Sequence, residues 1–357
     1  MRQYSIASIP ADGIGPEVIE AGLEVLDALT SRDFGFTLKI DRYDWGSNYY
    51  RRNGVFMPAD ALARLRTADA IYFGAVGDAE IPDHVSLWGL RLQICQGLDQ
   101  YANVRPTRIL PGITSPLRNV GPGDLDWLII RENSEGEYAG QGGRTHRGRP
   151  EEVATETAIF TRRGVERIMR YAFEQARARP RKHLIVVTKS NAQRFGMVFW
   201  DEIAALVSQD YTDVTWEKVL VDAMTLRMVQ KPRSIDTVVA TNLHADILSD
   251  LAAALAGSLG VAPTANIDPE RRSPSMFEPI HGSAFDIIGK GIANPVASFW
   301  TAAMMLEHLG EKPAAEFLMR AVEQVCAAGI LTPDIGGKAT TTEVTQAVCE
   351  ALRGANV

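Results

Sequence analysis

The feature that most constrains this chain is a repeated alternation. Short runs of apolar and β-branched residues give way, after tight Gly-, Pro- or Asp-containing connections, to stretches with helical periodicity. Residues 4–9, 36–40, 70–74, 126–130, 183–188, 216–221 and 237–241 read as strands. Residues 17–29, 59–66, 87–101, 163–177, 200–207, 223–229, 298–309, 314–328 and 340–353 read as helices. Strand–helix–strand order of this kind predicts an α/β fold, a mostly parallel sheet with helices on both faces. Segment 139–150 is rich in Gly and Arg and is expected to be exposed; 154–161 is β-favouring.

A chain of 357 residues suits about two domains. Its net charge is −7 and it has no basic block, which argues against nucleic acid as the main partner. An acidic protein can still hold a basic pocket for an acidic substrate. No apolar run approaches the ~18 residues of a membrane span. The amino-terminal run is strand-like, with no signal-peptide pattern. Cys95, Cys326 and Cys349 are far apart and form no CxxC or disulfide framework, so a cytoplasmic location is expected.

The chemistry gathers where strands end. Asp246 and Asp250 follow the 237–241 strand at helical spacing i, i+4. Two carboxylates stacked on one helix face repel unless a cation lies between them, and a hard divalent ion suits oxygen ligands. The alternative is a helix cap at Asp246 and a solvated first-turn acid at Asp250. Tyr138, Lys189 and Asp222 also lie at or just beyond the carboxyl ends of predicted strands, where open α/β sheets build ligand sites. Taken singly they read as a loop aromatic, a surface cation and a helix cap. Arg105 precedes Pro106 and should be extended, as a surface charge or a carboxylate clamp. Gly13 and Gly15 follow the first strand, but Pro16 and Glu17 come next, so GxGxxG is absent and a standard Rossmann site is rejected.

Six stretches together resemble the β-decarboxylating dehydrogenases, the isocitrate, 3-isopropylmalate, D-malate and tartrate dehydrogenases. They are Asp12-Gly-Ile-Gly-Pro-Glu17, Tyr101-Ala-Asn-Val-Arg-Pro106, Arg131-Glu-Asn through Tyr138, Thr188-Lys-Ser-Asn191, Asp246-Ile-Leu-Ser-Asp250 and Glu278-Pro-Ile-His-Gly-Ser-Ala284. The resemblance implies an isopropylmalate/isocitrate dehydrogenase-like two-domain fold. Residues 1–105 and 258–357 would form a cofactor-side domain. Residues 106–257 would form a dimerisation and catalytic domain, with an arm at about 139–161 reaching a dimer mate. It implies a homodimer with shared active sites, Lys189 and Asp222 entering the neighbour's site. Mn²⁺ or Mg²⁺ would be held by Asp222, Asp246 and Asp250, with a monovalent cation such as K⁺ as a further candidate. Lys189 would be the base and Tyr138 the acid, with Arg105 and Arg131 clamping a substrate carboxylate. NAD would lie against Asn191, His281, Gly282, Ser283, Ala284, Asp286, Ile287 and Asn294, with Asp286 accepting bonds from the ribose and repelling a 2′-phosphate.

Departures from the pattern point to the substrate. The family usually has an arginine ten residues before position 105, where this chain has Cys95. Arg91, one turn earlier on the predicted helix, could partly replace it. A charged Arg91 is poor company for an isopropyl group, and Trp88 would narrow the pocket. Ser86-Leu-Trp-Gly89 looks most like the tartrate and D-malate enzymes, so the expected substrate is a small C4 2-hydroxy diacid. The alternatives are 3-isopropylmalate dehydrogenase and a non-catalytic regulatory paralogue, the latter opposed by the complete Tyr138, Lys189, Asp222, Asp246, Asp250 set. Ala11, His244 and Phe285 replace a usual Gly, aromatic and proline.

Overall fold

The computed structural model describes residues 1–354. The first segment carries β1 (Arg2–Ala11), α1 (Gly15–Thr30), β2 (Phe36–Arg42), α2 (Ser47–Asn53), α3 (Ala61–Leu65), β3 (Ala70–Ala75), α4 (Asp83–Gly89) and α5 (Arg91–Gly97). The middle carries β4 (Ala102–Arg108), β5 (Asp126–Glu132), β6 (Gly136–Thr145), β7 (Val153–Ile159), α6 (Arg162–Ala178), β8 (His183–Thr188), α7 (Gly196–Val207), β9 (Thr215–Leu220), α8 (Val221–Gln230), β10 (Thr237–Ala240) and α9 (Asn242–Ala256). The last carries β11 (Pro263–Ile267), β12 (Ser275–Pro279), α10 (Val296–His308), α11 (Lys312–Ala327) and α12 (Thr341–Gly354). The chain divides into two compact units. Residues 1–100, 106–125 and the described residues from 253 onward form the first; 101–105 and 126–252 form the second.

In the first unit β1 lies between β2 and β3, parallel to both, and β12 continues parallel to β3. Because side chains alternate across a strand, Ala7 and Ile9 of β1 and Ile71 and Phe73 of β3 enter one cluster with Trp45, Phe56, Leu90, Ile94 and Leu98. Tyr72 points the other way, and its hydroxyl donates to the Ser298 carbonyl of α10 at 2.8 Å. Helix α1 passes so close that a Cβ on Gly22 would overlap that hydroxyl. Helices therefore cover both faces, as the alternation predicts. Each fully buried Ile or Phe contributes about 1.5–3 kcal/mol.

Two elements differ from expectation. The helix expected over 87–101 is two short helices, broken at Leu90 (φ −131°, ψ −74°). Gly89, the last residue of α4, packs against the Phe56 ring where any Cβ would overlap it. Strands β11 and β12, an antiparallel pair, are absent from the sequence reading. Thr264, Asn266 and Glu278 on them are buried, so the apolar pattern that marks a central strand is missing.

In the second unit β5, β10, β8 and β9 run parallel in that order. Helix α6 starts at Thr161, whose Oγ1 accepts from the Gly164 amide at 2.9 Å, an ordinary N-cap. It buries Val165, Ile168, Met169 and Phe173. Strands β6 and β7 pair only with each other, Gln141 opposite Thr157 and Thr145 opposite Val153, and are exposed from 140 through 159. Among the described residues no helix is long and apolar enough to cross a membrane.

The Gly22 contact can be tested. Gly22→Ala should destabilise the protein by about 1–3 kcal/mol. Combining it with Tyr72→Phe should restore part of that loss in a denaturation cycle, whereas strictly additive losses would show that the two positions do not meet.

Candidate functional site

In the second unit, the end of β5, the residue before Pro106 on β4 and the start of α9 bring five of the expected residues together. Arg131 (2% exposed) and Arg105 (5% exposed) are buried guanidiniums. A buried cation costs several kcal/mol unless a counter-charge and hydrogen bonds meet it. Both requirements are met by α9. Asp246 Oδ1 pairs with Arg131 Nη1 and lies 3.4 Å from Arg105 Nη1, while Asp250 Oδ1 stands 3.9 Å from Arg105 Nη1. Arg131 Nε donates to Asn242 Oδ1 at 2.8 Å. Arg105 Nε donates to Asn103 Oδ1 at 2.8 Å, and its Nη1 to Ser249 Oγ at 2.5 Å. The Tyr138 hydroxyl donates to Asp246 Oδ2 at 3.1 Å, and the Arg131 guanidinium lies over the Tyr138 ring at 5.2 Å. Burial raises the Asp250 carboxyl above the usual carboxylate range; Arg105 pulls it back and Asp246 pushes it further up.

Lys189 and Asp222 form a separate pair. Lys189 follows β8, Asp222 is in the first turn of α8, and Nζ donates to Oδ1 at 2.5 Å. That bond holds the Asp222 carboxyl below its usual range. Among the described residues no three His, Cys, Asp or Glu side chains gather as a metal cage, so one chain does not assemble Asp222, Asp246 and Asp250. His244, where an aromatic was expected, is 7% exposed with Nδ1 lacking a hydrogen-bond partner. Burial pushes its imidazole down and Lys189 adds to this, against Glu137. The departure thus keeps a buried aromatic ring at this position.

In the first unit seven expected cofactor residues share the loop between β12 and α10. The Ser283 carbonyl accepts from the Ile14 amide at 3.0 Å, and its hydroxyl donates to the Gly77 carbonyl at 2.8 Å. Gly13, at φ +60°, approaches the Ser283 backbone so closely that no Cβ would fit. Ile287 packs against the cluster of Ile14, Val18 and Ala293. Asn294 Nδ2 donates to Asp334 Oδ2 at 3.0 Å. Gly282 is open, Ala284 takes φ +46°, and Asp286 is exposed. Burial lowers the His281 imidazole, and its Nε2 is buried with no partner. Asn191 lies in the second unit, exposed, just after Lys189.

Sequence reasoning missed Asp12, which organises these loops. Its carboxylate accepts from the Ser47 amide and hydroxyl, both at 2.7 Å, and from the Gly77 amide at 3.0 Å. The available signal was an acid at the carboxyl end of the first strand, set among glycines. Arg91 is also placed differently from an open clamp. It is 9% exposed, its Nε donates to both Glu278 oxygens at 2.8 and 3.1 Å, and its Nη2 lies 2.6 Å from Oε1. Cys95 faces the apolar cluster. Trp88 is half-buried at the end of α4.

Two buried arginines, paired carboxylates and a tyrosine thus meet at the strand ends of an α/β unit, in a chain with no dinucleotide glycine fingerprint. The isocitrate/isopropylmalate dehydrogenase family model matches residues 5–348, and the chain belongs to that family. It is 74% identical over 357 residues, the whole of both chains, to a probable tartrate dehydrogenase/decarboxylase of Agrobacterium vitis. It is 47% identical over 359 residues, 99% of each chain, to the D-malate dehydrogenase (decarboxylating) of Escherichia coli strain K12. Among solved structures, the isocitrate dehydrogenase of Methylococcus capsulatus superimposes with a TM-score of 0.89 at 35% identity, covering 98% of this chain and 99% of that one.

Beside the clamp, burial raises the Glu132 carboxyl from 4.5 to about 7, against donors from Ser134 and Glu135. The folded state therefore favours the protonated acid. This contribution, about 3 kcal/mol, is complete below pH 4.5 and lost as pH rises through about 7. The melting temperature should fall between pH 5 and 8, and Glu132→Gln should flatten that fall. An equally steep profile in the variant would assign the dependence to other groups.

Proposed function

We propose that this protein catalyses the NAD-linked, divalent-metal-dependent oxidation of a small C4 2-hydroxy diacid, tartrate or D-malate, with or without decarboxylation. The observation that carries the reading is the convergence of Arg105, Arg131, Tyr138, Asp246 and Asp250 at one place in the second unit. Two buried guanidiniums hold a dicarboxylate by planar, two-pronged bonds. The names of the relatives, a tartrate dehydrogenase/decarboxylase and a decarboxylating D-malate dehydrogenase, support the C4 substrates.

Each remaining residue has a task in this reaction. Asp246 and Asp250, with Asp222 of a second copy, offer hard oxygen donors that suit Mn²⁺ or Mg²⁺. Such an ion would supply Lewis acidity at the substrate hydroxyl, and NAD⁺ would accept the C2 hydride. Lys189 takes the hydroxyl proton as the general base. In the decarboxylating branch the C–C bond to the departing carboxylate breaks, its electron pair passes to the neighbouring carbon, and Tyr138 delivers a proton there. Arg105 and Arg131 clamp the second carboxylate, the one not adjacent to the reacting hydroxyl. Arg91 contributes as half of a buried pair with Glu278. Being committed to Glu278, Arg91 offers no open charge, and the preference for C4 acids over 3-isopropylmalate rests on what the relatives are named for.

The cofactor loop fits NAD by its chemistry. The orphaned His281 Nε2 awaits a polar partner, and the exposed Asp286 carboxylate can accept from ribose hydroxyls while repelling a 2′-phosphate. A homodimer is supported by the second unit, where Leu226 (55%), Val229 (49%) and Ile247 (55%) are exposed on α8 and α9 and the β6–β7 ribbon stands free. Apolar surface of this kind marks interaction sites.

The test is NADH formation with Mn²⁺ across D-malate, (+)-tartrate, meso-tartrate, 3-isopropylmalate and isocitrate in parallel. Turnover confined to the C4 acids is expected; preference for 3-isopropylmalate would overturn the small-pocket reading. Lys189→Met should abolish turnover, by at least 10²-fold, while leaving metal affinity unchanged. Retained turnover would remove Lys189 from the reaction.

A further inference from the structure

We propose that Asn242 is a positioning residue that couples the Arg131 clamp to the strand carrying Tyr138, with Glu137 as its partner. This deepens the proposed function and rests on it. Asn242 is the first residue of α9 and is 2% exposed. Its Oδ1 accepts from Arg131 Nε at 2.8 Å, and its Nδ2 donates to the Glu135 carbonyl at 3.3 Å. One amide thus uses both ends, fixing the guanidinium plane on one side and the entry to β6 on the other. Gly136, at φ +72°, lets the backbone turn at that point, with its Cβ direction facing the Asn242 Cβ.

Glu137 docks the same segment a residue further on. Its Oε2 accepts from the Leu243 amide at 3.3 Å, and its Oε1 from the Thr241 hydroxyl at 3.4 Å. A carboxylate at the amino end of α9 satisfies an otherwise orphaned amide and complements the helix dipole. Tyr138 follows immediately, so the two latches set where its hydroxyl stands against Asp246. Asp246 lies one turn beyond Asn242 on the same helix. Clamp, proton donor and carboxylate are therefore referred to one rigid element. A shift of about 1 Å in any of them would misalign the reacting groups.

The two latches separate experimentally. Glu137→Ala leaves the Arg131–Asn242 bond intact and loosens only the tyrosine strand. It should lower kcat on D-malate about tenfold and keep KM within about threefold, with a fall in CO₂ released per NADH as oxidised, undecarboxylated product escapes. Asn242→Ala should raise KM at least tenfold, lower kcat and reduce the same ratio. A merely structural asparagine would lower the melting temperature and leave the CO₂ to NADH ratio unchanged, which would overturn the proposal. A second readout needs no turnover. The ¹⁵N–¹H signal of Arg131 Nε should be protected from exchange in the wild type and in Glu137→Ala, and exchange rapidly in Asn242→Ala. Protection retained in Asn242→Ala would also overturn it. If the wild type ignores both C4 acids while the Nε result holds, the proposed substrate fails and the positioning geometry stands.

Discussion

The second unit is arranged around one carboxylate. Asp246 faces two guanidiniums, Arg105 and Arg131, that are almost wholly removed from water. Neither arginine could occupy its place without an anion nearby, because desolvation of a lone cation costs more than packing returns. The start of α9 supplies that anion and also supplies Asn242, Ser249 and Asp250 from successive turns. The site is thus a property of one helix terminus set at the end of β10 between the neighbouring strands β5 and β8. The chain's own carboxylates pair with the arginines, two acids against two cations.

The first unit is organised by a different carboxylate. Asp12 gathers two amides and a hydroxyl from the segments at Ser47 and Gly77, and Ser283 bonds back to Gly77. The loop from β12 to α10 is therefore held by short polar bonds and close backbone approach. Such a scaffold leaves backbone and a few side chains free to meet a ligand, which is how α/β proteins use the carboxyl ends of their strands.

Much of this was legible from the residues because the alternation of apolar runs and amphipathic stretches follows directly from burial. The strands of β1, β3, β5, β8 and β10 and the long helices stand where that pattern places them. The i, i+4 spacing of Asp246 and Asp250 survives in the structure for the same geometric reason. What escaped did so for physical causes. Strands β11 and β12 bury Thr264, Asn266 and Glu278, so periodicity misleads there. The lack of room for a side chain at Gly89, beside the break at Leu90, is set by Phe56, thirty-three residues away. Arg91 reads as an available charge until Glu278, far along the chain, is brought to it. Asp12 and Asn242 look like ordinary turn residues, and only tertiary contact shows what each holds.

The claim at the centre of this account is that Asp246 and its neighbours form a divalent-cation and diacid site rather than a purely structural ion cluster. Titration of the purified protein with Mn²⁺, followed by the loss of the free-ion paramagnetic resonance signal, tests it most directly. The account predicts saturable binding of about one Mn²⁺ per chain, weakened at least tenfold in Asp246→Asn, as expected for loss of a metal ligand. Equal binding by the wild type and Asp246→Asn, or none by either, would contradict it.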